Sequence, residues 1–280
     1  MIRDLLLRGR TLSFLRWPET ADDRAAYAYE ADGGLLIREG KIVAAGPYAE
    51  VEKQAGEGTE KIDHRPHLIL PGFIDAHAHF PQMQVIASYG AELLDWLNTY
   101  TFPEETRFRD AQHGRRVARL FLDEMVRHGT TTVAAYCSVH KASAEAFFAE
   151  SHARGMLNIA GKVMMDRNAP DGLLDTPQSS YDDTRALIAA WHGKRRQHYA
   201  ITPLFAITSI PQQMEMAGAL AQEFPDLHVQ THLSENHAEI AFTQELYPWS
   251  RDYTDIYARY GLLGRRTLLG HCIHLSEREA

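Results

Sequence analysis

Three histidine-bearing stretches hold the side chains most able to do chemistry. The first is Pro71-Gly72-Phe73-Ile74-Asp75-Ala76-His77-Ala78-His79-Phe80-Pro81-Gln82. Its strict alternation puts Asp75, His77 and His79 on one face of an extended strand and Ile74, Ala76 and Ala78 on the other. Two imidazoles at one strand end make half of a metal site, because imidazole nitrogen suits zinc and similar divalent ions. Taken alone, His-x-His reads more simply as a strand tip with two partly exposed histidines. The second stretch, Leu227 to Asn236, puts His232 at a strand end with a carboxylate, Glu235, three residues on; the third, Thr267-Leu268-Leu269-Gly270-His271, repeats that placement. Histidine at three strand ends that would converge on one mouth points to a metal centre rather than to unrelated surface histidines.

Glu235 by type alone would be a solvated loop residue; beside an activated water it could carry a proton to the substrate. Lys162 is a rival candidate as a modified, metal-bridging lysine, but a buried stem with a paired ammonium is the simpler reading. One metal ion is therefore expected. Cys137-x-x-His140 and Cys272-x-His274 lack the second Cys-x-x-Cys pair of a structural zinc site. His113, His128, His152, His192 and His198 read as surface residues on helices or their ends. There is no Gly-x-Ser-x-Gly elbow and no phosphate-binding glycine loop, which disfavours serine hydrolases and P-loop NTPases.

The elements that must position these groups follow from periodicity. Residues 1–66 read as a small β-rich domain: Met1 to Phe14 suggests a strand, and Leu35–Arg38, a Glu39-Gly40 turn and Ile42–Gly46 suggest a hairpin. The polar stretch Gln54–Arg65 suggests a boundary. From residue 67 to 280, short apolar strand candidates alternate with segments of helical period, such as Val117, Leu120, Phe121 and Met125 before Gly129. Repeated strand then helix means parallel strands with crossover helices, an α/β fold of (β/α)8-type TIM-barrel character. In such barrels chemistry sits at the C-terminal ends of strands, where the histidines fall. Six strand candidates are found, and the stretch from Leu68 is shorter than the about 250 residues a complete barrel takes, so the barrel is expected to be incomplete at the C-terminus.

The chain has 280 residues, 45% of them hydrophobic, with 29 Lys plus Arg against 37 Asp plus Glu and a formal net charge of -8. That charge repels a phosphate backbone and argues against nucleic-acid binding, leaving a small molecule as the expected partner. Two cysteines make no disulfide framework, and no apolar run approaches the roughly 18 residues that would span a bilayer. A cytoplasmic protein without membrane association is expected.

The first stretch resembles the metal motif of the amidohydrolase superfamily. Its continuation through His79-Phe80-Pro81-Gln82, then Ser88 to Glu104, then Gly161 to Asp171, is similar to the guanine deaminases, most like their bacterial form, and the likeness runs along nearly the whole chain. The resemblance implies hydrolysis of guanine to xanthine and ammonia with one Zn2+ per subunit, in a homodimer. Carried over by position, His77, His79 and His232 would hold the ion, Glu235 would shuttle protons, and His271 would orient or deprotonate the metal-bound water. Phe80, Pro81, Gln82, Leu204, Phe205 and His232 would contact the purine, with Phe205 stacking and the Gln82 amide pairing with a ring edge. Two departures stand out. Leu204 replaces an arginine of the family, which implies weaker guanine binding or altered purine preference, since a charge-assisted hydrogen bond contributes roughly 1.5–3 kcal/mol. The family's metal-binding aspartate lies on an eighth strand, beyond Ala280, so the chain alone is expected to be poorly active or inactive. The rival readings are another aminopurine or triazine deaminase of the superfamily and a catalytically silent binding scaffold.

Overall fold

A computed structural model describes residues 4–90 and 92–280. Met1–Arg3 of the first expected strand, and Ala91 within the Ser88–Glu104 stretch, lie outside the described residues. The chain divides into two compact units, one ending at Gly72 and the other beginning at Phe73.

The first unit is a single four-stranded sheet of β1 (Leu5–Phe14), β2 (Tyr27–Arg38), β3 (Lys41–Pro47) and β4 (Glu60–Ile69), in the order β3-β2-β1-β4. The expected hairpin joins β2 to β3: Arg38 pairs with Lys41, and Glu39 and Gly40 both take positive φ, 51° and 75°. Two successive left-handed residues give the turn whose twist matches the flanking strands. Leu6, Leu36 and Val51 form its small core. The second half of the stretch read as a polar boundary is instead strand: β4 begins at Glu60, pairs parallel with β1 and extends to Ile69. It was illegible because nearly all its side chains are exposed, leaving no alternation to detect. The division between the two units falls between Gly72 and Phe73, later than residue 66.

The second unit is a parallel barrel-type sheet flanked by helices. Its strands are β5 (Phe73–His79), β6 (Thr130–Tyr136), β7 (Leu157–Gly161), β8 (Val163–Met164), β9 (Gln197–Pro203), β10 (His228–Leu233) and β11 (Thr267–His271). The order is β11-β10-β9-β7-β6-β5, with β8 paired to β9, so among the described residues β5 and β11 are the edges. Helices Ala111–Arg127, Lys141–Arg154, Pro177–Trp191 and Pro211–Glu223 are the expected crossovers. Their ends carry local signals: the Asp110 carboxylate accepts from Gln112 N, Thr176 forms a capping box with Ser179, and Gly155 ends its helix in the left-handed conformation. Phe147, Phe148, Leu187, Ile201 and Met214 are fully or almost fully buried in the apolar layer between strands and helices. No described helix is long and apolar enough to cross a membrane.

Candidate metal centre and its cavity

His77 and His79 stand at the end of β5 and His232 near the end of β10, and one ring nitrogen from each lies within 4.8 Å of the others. The Nε2 atoms of His79 and His232 are 2.9 Å apart. His232 Nδ1 is 2.7 Å from the Leu204 carbonyl oxygen, which can only accept, so Nδ1 carries the proton and Nε2 keeps its lone pair. Two ring nitrogens face to face need a shared proton or a cation between them. Tetrahedral zinc with nitrogen ligands at 2.0–2.1 Å holds neighbouring donors about 3.3 Å apart, close to the spacing here. Burial, followed by the neighbouring imidazoles, lowers the pKa of His77 to about 4 and of His232 to about 3, and holds His79 well below its ordinary value. All three are neutral at pH 7, the state in which imidazole binds a metal. The residues present fit a divalent ion.

Close packing of the rings depends on a glycine. Gly270 on β11 lies opposite His232 on β10, and a Cβ there would stand 2.6 Å from His77 Cε1 and 3.3 Å from His232 Cδ2. The next residue, His271, brings a fourth imidazole to the group, its centroid 4.9 Å from that of His77.

A cavity of about 280 Å³ opens onto these rings, at the small end for ligand pockets and sized for a single heterocycle. Glu235 lines it, with Oε2 3.1 Å from His271 Nε2. Burial, with the nearby Glu239 carboxyl second, raises the Glu235 pKa to about 7. Glu239 is itself buried, and its Oε2 accepts from the backbone N–H of Glu235 and of Asn236, at 2.8 and 3.1 Å. A capping box, usually a helix-starting device, here also fixes the loop that presents Glu235. Tyr257, fully buried, donates to the His232 carbonyl at 2.7 Å and accepts from Thr231 Oγ1 and Ala206 N, tying β10 to the turn after Phe205.

The profile of the Amidohydrolase family matches residues 68–280. The chain belongs to the amidohydrolase family. It is 44% identical over 274 residues to a guanine deaminase of Escherichia coli, covering 98% of this chain and 62% of that protein. It is 40% identical to a probable guanine deaminase of Deinococcus radiodurans, covering 89% of this chain and 58% of that protein. Among solved structures, E. coli guanine deaminase superposes with a TM-score of 0.94 at 41% identity, over 100% of this chain and 64% of that one. The guanine deaminase from C. acetobutylicum, solved with guanine bound in its active site, gives 0.87 at 31%, over 99% and 64%. The chain thus spans about three-fifths of the length of these relatives.

Within this amidohydrolase cavity, Gln82, Leu204 and Phe205 line the wall together with His77, His79, His232, Glu235 and His271. Phe80 and Pro81, expected at the substrate, do not line it. A tight turn over Phe80–Val85 follows β5, and it sends the fully buried Phe80 ring against Phe108, Phe121 and Phe147 in the core, with Pro81 buried alongside. Gln82 is the residue that the turn delivers to the cavity. His113 is not a surface residue: it is buried with Nε2 3.1 Å from Glu104. Lys162 is fully buried and paired with Asp175, which commits its ammonium to an ion pair.

Glu105 was missed by the sequence reading. It is buried at the cavity wall and accepts from Gln82 Nε2 at 3.1 Å. The only signal was its place in Phe102-Pro103-Glu104-Glu105, where paired acids read as favourable charges in a first helical turn.

Proposed function

We propose that this chain carries the catalytic centre of a guanine deaminase, hydrolysing guanine to xanthine and ammonia. The observation that carries the reading is the convergence of His77, His79 and His232 within 4.8 Å of one another, on a cavity also lined by Glu235 and His271. The similarity to guanine deaminases, one of them solved with guanine bound, supports the choice of substrate.

In this reading His77, His79 and His232 hold one Zn2+. When bound, the ion supplies Lewis acidity and brings the pKa of water towards ~7. The remaining chemistry belongs to the chain. Glu235, with a pKa near neutrality, can take a proton and return it to the ring nitrogen beside C2 or to the departing amine, the behaviour of an efficient general acid–base. His271 Nε2 lies 3.1 Å from that carboxyl, between it and the histidine cluster. Phe205 offers a face on which a flat ring can stack, and buried Leu204 adds an apolar wall where the family resemblance placed a cation. Guanine binding is correspondingly weaker in this proposal. We also place the protein in the cytoplasm, consistent with free Cys137 and Cys272, and as a homodimer, as the resemblance implies.

The test is ammonia release from guanine by the zinc-loaded chain. Glu235→Gln should lower kcat by ~10²–10⁴-fold with KM little changed. Stoichiometric zinc with neither ammonia release from, nor binding of, any purine would overturn the assignment.

A further inference from the structure

Apart from the four histidines and Glu235, the polar side chains lining the cavity are Gln82 and Glu105; the rest of the wall is apolar, including Leu204, Phe205, Phe102 and Leu97. Among the residues lining the cavity here, this pair is able to read the ring edge turned away from the histidines. A primary amide alone is a poor reader. Its oxygen and NH2 are nearly the same size, so a half-turn about the last side-chain bond exchanges donor and acceptor at little cost. A carboxylate neighbour removes that freedom, because it only accepts and so draws the NH2 towards itself.

Resting on the proposed deaminase reading, we infer that Glu105 is a specificity-determining residue: its hydrogen bond from Gln82 fixes the orientation of that amide, and the pair presents a set pattern of donor and acceptor to the purine. The bond uses one N–H of Gln82 and Oε1 of Glu105. One N–H and the carbonyl oxygen of Gln82, and Oε2 of Glu105, make no hydrogen bond among the described residues and remain for a ligand. Both residues are held independently of each other. Gln82 sits on the turn after β5, and Glu105 on the short helix Phe102–Thr106, where its backbone oxygen accepts from Ser138 Oγ at 3.1 Å. Burial pushes the Glu105 carboxyl up to about 7 and the Gln82 N–H draws it down, so the bond favours the ionised, accept-only form. A carboxylate needed only for folding would not be expected at a cavity wall against an amide, since burying it is unfavourable.

The experiment compares the zinc-loaded wild-type chain with Glu105→Gln, Glu105→Asp and the exchanged pair Gln82→Glu with Glu105→Gln. Guanine kinetics and calorimetric binding of xanthine are measured at pH 8, where the carboxyl is ionised. Glu105→Gln lets two amides pair in either sense, and Glu105→Asp draws the carboxylate back by one methylene. Each should raise KM and the xanthine Kd tenfold or more, with kcat within threefold and the melting temperature not lowered. The exchanged pair restores a hydrogen bond but reverses its sense, so it should keep the fold without recovering KM. Recovery of KM by the exchanged pair, or unchanged KM and Kd in both single variants, would leave Glu105 with a packing role only and overturn the inference. Absence of purine binding by the zinc-loaded wild-type chain would remove the deaminase reading and this inference with it, whereas wild-type binding with indifferent variants removes the inference alone.

Discussion

Single carboxyl groups in this chain carry opposite relations to pH from the histidines beside them. Glu105 has a folded pKa of about 7 against an ordinary 4.5. Below 4.5 folded and unfolded chains are both protonated; above it the unfolded chain ionises first, so stability falls as pH rises to about 7 and then levels. His77 and His232 have lowered values, so their contribution is complete above about 6.5 and is lost as pH falls towards about 4 and 3. Comparing a variant with the wild-type chain isolates one group, because the others cancel. Glu105→Gln should lose the falling limb, gaining up to about 3 kcal/mol relative to wild type between pH 4.5 and 7.5. Urea unfolding across that range checks it, and parallel curves would show that Glu105 titrates normally. The same burial that raises Glu105 and Glu235 lowers the histidines, for one reason: water is withdrawn from the charged form of each.

Strand ends do the positioning at the next scale. The β10–β11 register sets Gly270 opposite His232 and His271 opposite Leu233, so glycine falls where the rings crowd and histidine falls one residue further, at the mouth. Gly270→Ala would place a methyl 2.6 Å from His77 Cε1, too close for either to stay. The variant should keep its far-ultraviolet dichroism and lose most of its zinc, shown by metal analysis after gel filtration. Stoichiometric zinc in the variant would mean that His77 is not needed where it stands. The turns just past these ends are constrained as well: Ser234, His271 and Cys272 all have positive φ without being glycine. Backbone bonds from Cys272 N to Leu233 O and from Ile273 N to Ser234 O support them, so the strain at the mouth is carried by the β10–β11 pair.

Across the second unit as a whole, the centre joins β5 at one edge of the sheet to β10 near the other. An ion held by His77 and His79 on one side and His232 on the other therefore acts as a cross-link between segments more than 150 residues apart in sequence. Zinc at a hundred times its Kd should stabilise the chain by about 2.7 kcal/mol. Denaturation with zinc and with chelator measures the difference, which His232→Ala should abolish; an equal shift in that variant would place the ion elsewhere. Much of this was legible in the sequence, because it depends on local pattern. Alternation gave β5 its two-faced character, helical period and capping residues gave the crossovers, and His77, His79, His232 and His271 could be placed at strand ends. Other features depended on what packs against what. β4 is a strand through its pairing with β1 while its side chains stay exposed. Phe80 leaves the cavity for an aromatic cluster whose members come from distant segments, and His113 is buried by Glu104. Glu105 reaches the cavity because the short helix after Phe102 turns the second of two adjacent glutamates inward. Residue type and spacing determine what a side chain can do, but only the folded chain decides its neighbours, and the neighbours decide whether it is charged, aimed or buried.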